Sequence, residues 1–434
     1  MASARDREPA ALGRQRWARV LPIAFVTYSL AYLDRSNYSI GVAAGMKHDL
    51  AITGGVAALL GALFFLGYFF FQVPLAMYAE RRSVRRLMFW SLIAWGVLAS
   101  AQGLVPSVGF LMADRFLLGV VEAAVLPGMV VFLAHWFTKS ERASADTFLI
   151  LGNPVTVLWM SVVSGYLIQV TSWRWMFILE GIPAIIWAFV FRALVADHPR
   201  DARWLNRGER ERVDAALADE QRRITPVSSY LAALRSRNVI LLSAQYLLWS
   251  IGVYGLVFWL PSIIKSGTGA AIGQTGLLTA VPYALAIIAM IVNGRISDRA
   301  GKRGGYVWTW LLFAAAAFTV SYFVGTHSFW LSFILLALAA AGMYAPYGPY
   351  FASITEFLPR DAAAPAVALI NSFGGLGGFI GSYLVGWLDS ATGSTAASVL
   401  FMAATLAASA LIIPLVSTGS RATPEPEPVP GRAG

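Results

Sequence analysis

Cysteine is absent from the 434 residues, so disulfides, thiolate nucleophiles and cysteine-based metal sites are excluded. Charge is almost as scarce. Only 13% of residues are Asp, Glu, Lys or Arg, about half of what a soluble domain carries on its surface. There are four histidines, and they are scattered without metal-ligand spacing. No phosphate-binding glycine loop of the Walker type, hydrolase triad or redox motif occurs, so ATP hydrolysis and the common enzyme chemistries have no carrier. What is abundant is apolar: 58% hydrophobic residues, 15 Trp, 26 Phe and a mean hydropathy of +0.64. Disorder needs the opposite composition. The chain therefore reads as an integral membrane protein with the bilayer as its solvent.

Apolar stretches of about 20 residues mark helices that can cross a bilayer. Twelve such spans are expected: 20–46, 55–79, 86–104, 108–136, 144–169 and 174–195, then 238–264, 274–296, 305–325, 328–356, 363–388 and 395–416. Continuous runs rather than period-2 alternation argue for helices and against a barrel. The first run, following Arg14, Arg16 and Arg19, continues past Asp34–Arg35 to Met46, which favours an uncleaved span over a signal peptide.

If both termini share one side, that side collects 27 of the 33 basic residues and the other side only Lys47, Arg174 and Lys265. The positive-inside rule then places both termini in the cytoplasm of an inner-membrane protein. The formal charge of +10 thus records topology, and nucleic acid is not needed as a partner. The expected organisation is an N-terminal six-helix bundle over 1–195, a partly helical cytoplasmic linker over 196–237, a C-terminal six-helix bundle over 238–417 and a disordered tail over 418–434. The linker helix is expected over Asn206 to Arg223, where charges alternate densely.

The two halves repeat. Ala76-x-x-x-Glu80-Arg81-x-Ser83-x-Arg85-Arg86 follows the second span, and Gly294-x-x-x-Asp298-Arg299-x-Gly301-Lys302-Arg303 follows the eighth, 218 residues later. A small residue at a helix end permits close packing, and an acid followed by bases can form an interhelical charge lock. Duplication into parallel six-helix repeats describes one transporter architecture, with its binding site near the midplane.

The second copy matches the loop signature of the major facilitator superfamily, and the first is a degenerate version of it. Tyr32-Leu33-Asp34-Arg35-Ser36-Asn37, Arg115-Phe116-Leu117-Leu118-Gly119-Val120-Val121-Glu122-Ala123, Tyr254-Gly255 to Trp259-Leu260-Pro261, and Asn371-Ser372 resemble the anion:cation symporter family. Closest in character are bacterial proton-coupled importers of sugar acids and hydroxy-dicarboxylates such as tartrate. The resemblance implies a fold of twelve transmembrane helices in two pseudo-symmetric bundles. It further implies protonation at Asp34 and Glu122, substrate-carboxylate contact at Arg35, and coupling and gating at Arg115.

Asp34, Arg35, Arg115 and Glu122 lie deep in spans one and four, where each costs at least about 2.5–3.5 kcal/mol and so demands a partner or a function. Arg115 and Glu122 are seven residues apart, so they share a helix face with about 10 Å between them along the axis. The four charges sum to zero. An arriving carboxylate would leave the site at −1, and one proton would restore neutrality, which makes joint entry of anion and proton the expected mechanism.

Polar groups at similar depth complete a candidate substrate site: Tyr32, Tyr68, Asn153, Tyr254, Tyr344, Tyr347, Asn371 and Ser372. Hydroxyls and amides suit a polyol chain. Asn153 departs from the Gln familiar in galactonate-type members, which points toward another acid. Glu80, Arg81, Arg85, Gly294, Asp298, Arg299, Gly301 and Arg303 form the expected gating loops. Pro74, Pro127, Pro154, Pro282, Pro346 and Pro349 mark expected kinks, and the glycines of Gly374-Gly375-x-Gly377-Gly378 mark close packing. The expected cargo is a small organic anion with protons, carried by a monomer in the lipid bilayer without cofactor, metal or obligatory protein partner. Two alternatives have their own signatures. Transport or exchange of an aromatic or simple carboxylate would favour an apolar pocket, and a membrane sensor would bind without flux.

Overall fold

The computed structural model describes residues 14–222, 235–300, 303–325, 327–357, 363–392 and 395–416. Within these, the side chains of residues 34, 36, 139, 140, 143, 221, 298, 352, 354–357, 363–365, 395 and 396 are outside the description. The expected tail over 418–434 lies wholly outside it.

The described chain is all-α, with no strand among these residues. In the first half α1 spans Gln15–Gly41, α2 Gly54–Arg81, α3 Val84–Ala101, α4 Val108–Glu122, α5 Val125–Ala134, α6 Lys139–Val170 and α7 Trp173–Leu194. The linker helix α8 is Arg207–Arg222, started by the Asn206 side chain, which accepts from the Glu209 backbone N–H at 2.7 Å. In the second half α9 is Arg237–Thr268, α10 Ile272–Ala300, α11 Arg303–Gly325, α12 Phe329–Tyr344, α13 Tyr347–Phe357, α14 Ala363–Thr392 and α15 Thr395–Ile412. Helices α4 and α5 form one rod, and so do α12 and α13. Eleven rods among the described residues have the length and apolarity to cross a bilayer. The twelfth is α1, equal in length but poorer in apolar residues because it carries Arg16, Arg19, Asp34 and Arg35.

Both broken rods are interrupted at mid-depth, and proline explains each break. Pro127 has no N–H to offer the Ala123 carbonyl, and α4 ends at Glu122. Pro346 and Pro349 likewise withhold donors from Gly342 and Ala345, and α12 ends at Tyr344. The other prolines expected to kink their spans, Pro74, Pro154 and Pro282, sit inside helices that run on through them.

Close approach of backbones sets the packing. A Cβ on Gly119 of α4 would lie 1.8 Å from the Phe64 carbonyl oxygen of α2, so only glycine lets these rods touch. The halves meet along two seams. In the first, α2 faces α14, where Gly375 and Gly378 turn toward Tyr68 and Phe65 while Gly374 and Gly377 turn toward α9. In the second, α6 faces α10, where a Cβ on Gly276 would lie 2.1 Å from the Ser161 carbonyl. This seam continues to the end away from the linker, where Gln169 accepts from the Gly273 N–H at 3.2 Å.

Helices α1 and α6 start about a turn earlier than hydropathy suggests, because their polar ends are paired. Arg16, counted above among the loop cations, is fully buried. It donates to the Trp136 carbonyl at 2.8 Å and pairs with the Glu141 carboxylate at the start of α6. Burial pushes the Glu141 carboxyl up, but the Arg16 and Thr138 hydrogen bonds prevail and hold it below its ordinary value of 4.5. The pair therefore stabilises the fold above that ordinary value, and its contribution is lost as the pH falls through the lowered one. Glu141→Gln should cost about 1–3 kcal/mol at neutral pH. Thermal unfolding of purified protein in detergent should show the deficit shrinking toward acid pH; a deficit independent of pH would contradict the charged pairing.

Candidate functional site

Arg35 lies at the middle of the helical bundle and is almost wholly buried. Its Nε donates to the Glu122 carboxylate at 3.3 Å, and its Nη1 reaches the Tyr254 hydroxyl at 3.5 Å. Three rings surround the guanidinium, with Tyr32 and Tyr68 at 4.7 Å and Phe64 at 5.1 Å from its carbon to their centroids. Aromatic faces attract a cation and keep water away from it. Helix α1 supplies Tyr32 and Arg35, α2 supplies Phe64 and Tyr68, α4 supplies Glu122 and α9 supplies Tyr254. Glu122 is the last residue of α4, beside the proline break, so the carboxylate sits where the rod changes course.

Besides the Arg35–Tyr254 contact, three more hydrogen bonds join the halves at this depth among the described residues. The Tyr32 and Tyr254 hydroxyls are 3.4 Å apart, Asn371 of α14 donates to the Tyr68 hydroxyl at 3.5 Å, and Tyr344 of α12 donates to Asn153 Oδ1 of α6 at 3.5 Å. All three are near the outer limit for such bonds, so replacing them with bonds to a bound hydroxylated molecule costs little. Tyr347 joins through its ring, stacked 5.6 Å from Tyr344. Ser372 does not join, because its hydroxyl donates to the Ala368 carbonyl of its own helix at 2.9 Å.

Arg115 is buried on the same helix as Glu122 but serves other partners. Its Nε donates to the Leu60 carbonyl at 3.3 Å, its Nη1 reaches Gln102 Oε1 at 3.5 Å, and Tyr38 lies 4.4 Å from its guanidinium carbon. The Phe64 ring is shared, since it also lies 5.3 Å from Arg115. One ring thus separates the two buried guanidinium groups. The side chain of Asp34 lies outside the described residues.

The loop motifs stand apart from this cluster. Glu80 and Arg81 are exposed. Ser83 donates to Asp197 Oδ2 at 2.5 Å, the Arg85 backbone N–H donates to Asp197 Oδ1 at 2.8 Å, and Arg85 Nε donates to the Arg192 carbonyl at 2.7 Å. That contact ties the α2–α3 turn to the exit of α7. A Cβ on Gly294 would meet nothing within 4 Å, Arg299 is exposed and Arg303 starts α11. The side chain of Asp298 and all of Gly301 lie outside the description.

Two carboxyls buried within the spans escaped the sequence reading. Asp114 is 3% exposed, with neither oxygen hydrogen-bonded among the described residues. Glu180 in α7 is 6% exposed and accepts from Ser164 Oγ at 2.6 Å and Asn37 Nδ2 at 2.9 Å. The zero sum of four charges is therefore incomplete, because two more acids share the low-dielectric interior. Phe64, Gln102 and Gln72, which donates to the Tyr68 hydroxyl at 3.3 Å, were also missed; the two glutamines, polar residues inside apolar runs, were the available signal.

Removing one member of the central pair should be worse than removing both. Arg35→Met leaves Glu122 buried without its cation, at a cost of about 3–5 kcal/mol, whereas the double variant Arg35→Met with Glu122→Leu should recover most of that loss. Thermal unfolding in detergent measures both, and an additive loss in the double variant would show that the two side chains are energetically independent.

The family model described as Major Facilitator Superfamily matches residues 24–271 and 262–433. A protein of Agrobacterium vitis named "Putative tartrate transporter" is 34% identical over 410 residues, covering 93% of this chain and 90% of that one. A quinolone resistance transporter of Acinetobacter baumannii is 29% identical over 397 residues, 88% of this chain and 90% of its own. In fold, the chain is similar to a bacterial homologue of the human lysosomal transporter Spinster, in an inward-facing and unoccupied conformation. The TM-score is 0.70 at 18% identity, over 93% of this chain and 96% of that one. Twelve rods in two halves, a buried charged cluster between them and a family match along nearly the whole chain lead to one conclusion: this protein belongs to the major facilitator superfamily and is a multi-pass membrane transporter rather than an enzyme.

Proposed function

We propose that this transporter carries a hydroxylated organic anion, a sugar acid or a hydroxy-dicarboxylate, into the cell together with protons by alternating access. The single observation that carries this reading is the Arg35–Glu122 pair, whose guanidinium also reaches Tyr254 in the opposite half. A guanidinium is a fork built for carboxylates. Here it is occupied by an internal carboxylate that an arriving one would displace. Displacement leaves Glu122 as an uncompensated charge in low dielectric, and a proton on Glu122 cancels it. Anion on Arg35 and proton on Glu122 then load together, and the closed, neutral site can cross. Asp34, one residue before Arg35, is proposed as the other proton-carrying acid, and Arg115, sharing Phe64 with Arg35, as the coupling and gating cation.

The cross-half polar groups Tyr32, Tyr68, Asn153, Tyr254, Tyr344 and Asn371 would bind the hydroxyls of the cargo. Tyr347 would line the pocket with its ring, and Ser372 would join only if its hydroxyl left its own helix. The relative named for tartrate supports a hydroxy-dicarboxylate. The rings around Arg35 favour a second reading, an aromatic carboxylate, in keeping with the relative named for quinolone resistance. The loops with Glu80, Arg81, Arg85, Gly294, Asp298, Arg299, Gly301 and Arg303 would gate the side of the linker. The charge bias supports a cytoplasmic position for that side and both termini in an inner membrane; the protein would act as a monomer, with the proton as coupling ion and no cofactor.

Proteoliposomes with an acidic exterior should concentrate radiolabelled tartrate, with collapse on adding a protonophore. Glu122→Gln should lose concentrative uptake by at least roughly tenfold, in line with losing a buried charge partner, while retaining tartrate exchange. Concentrative uptake by Glu122→Gln would sink the coupling role. Inhibition by benzoate with no uptake of tartrate would instead favour the aromatic reading.

A further inference from the structure

We infer that Glu180 is a further proton-binding carboxyl of this transporter, tied through Asn37 to the turn of α1 that carries Arg35. This inference rests on the proton-coupled reading above and adds a site to it.

Glu180 is buried and held by two neighbouring helices. Helix α6 presents Ser164, whose hydroxyl lies 2.6 Å from Oε1, and α1 presents Asn37, whose amide lies 2.9 Å from Oε2. Helix α3 packs against the neighbouring residue, where a Cβ on Gly181 would lie 2.6 Å from the Gly96 carbonyl. Both hydrogen-bonding partners are neutral. The charged groups nearest along these elements are engaged elsewhere. On α1, Arg35 pairs with Glu122. On α7, Arg174 donates to the Gly103 carbonyl at 3.4 Å and lies over the Trp173 ring. On α6, the described charged groups Asp146, Arg142 and Glu141 all lie several turns away toward the linker, and the latter two pair with Glu220 and Arg16. Helix α3 has its only charges, Arg85 and Arg86, at its opposite end. Among the described residues no cation forms an ion pair with Glu180.

Glu122 and Glu180 thus have opposite settings. Glu122 has a guanidinium beside it, and Glu180 has only an amide and a hydroxyl. An ionised carboxylate at Glu180 would be a buried charge without a counterion, and two neutral hydrogen bonds do not offset that cost. A bound proton removes it. The protonated acid then donates to Ser164 Oγ, while its carbonyl oxygen accepts from Asn37. Loss of the proton would put negative charge on the group that grips Asn37, two residues beyond Arg35, and would tighten that bond. Proton occupancy at Glu180 and anion occupancy at Arg35 are linked through this one helical turn, and such linkage is reciprocal.

Infrared difference spectroscopy of the full-length protein in lipid reads this directly. At neutral pH the wild type should show the carbonyl stretch of a protonated carboxyl that is missing in Glu180→Gln and retained in Glu122→Gln. Ser164→Ala, which removes one hydrogen bond and leaves Glu180 in place, should shift that band and keeps the assignment accessible if the glutamine variant does not fold. In preparations that bind tartrate, by a shift in melting temperature, adding tartrate should move the pH midpoint of the band. Absence of the band from wild type at neutral pH overturns the protonated assignment, and so does a band unmoved by Ser164→Ala. A midpoint indifferent to bound tartrate overturns the linkage. Failure of tartrate to bind would count against the substrate reading alone, because the band is measured without substrate.

Discussion

A charge buried away from water must find a partner, and the centre of this transporter is arranged around one answer to that demand. The Arg35 guanidinium is held by the Glu122 carboxylate, faced by three aromatic rings and linked by one hydroxyl to the other half of the molecule. Nothing about this pair is cheap in a low-dielectric interior. In the function proposed above it is a device that exchanges partners, since an internal carboxylate occupies the place that a carboxylate cargo would take.

The helices around the pair are built to bring that exchange within reach of both halves. Glycines such as Gly119 and Gly276 allow backbone contact that fixes the rods within and between halves. Proline breaks fall next to Glu122 and Tyr344, so the two rods that change course do so beside site residues contributed by opposite halves. The side-chain hydrogen bonds between the halves at the site are long, between 3.4 and 3.5 Å. Rigid packing along the rods and weak polar contacts across the middle suit the proposed cycle, in which the halves part and rejoin around a ligand.

Much of the site was legible beforehand because charges are so rare in these spans that each one announces itself. Arg35, Arg115 and Glu122 stood out for that reason, and seven-residue spacing placed the latter two on one helix face. The same logic should have raised Glu180 and Asp114. Glu180 is the single acid in an apolar span, but it lies in a rod without a family motif, and Asp114 was masked by the arginine beside it. Arg16 misled in the opposite direction. Close to the start of its span it reads as a loop cation, whereas its guanidinium is buried against Trp136 and Glu141. The phenylalanines could not be singled out at all, because Phe64 is one among 26.

The sequence by itself determined the solvent, the number of rods, the twofold repeat and which charges had to be accounted for. These follow from transfer free energy and helical period, which are local properties of the chain. Only the tertiary structure decided who pairs with whom: that Arg35 takes Glu122 and Tyr254, that Arg115 turns to Gln102 and the Leu60 carbonyl, and that Glu180 is left with Asn37 and Ser164. Pairing depends on how rods rotate and approach one another. That is set by the glycine contacts and proline breaks acting together across residues hundreds of positions apart, and no local pattern encodes it.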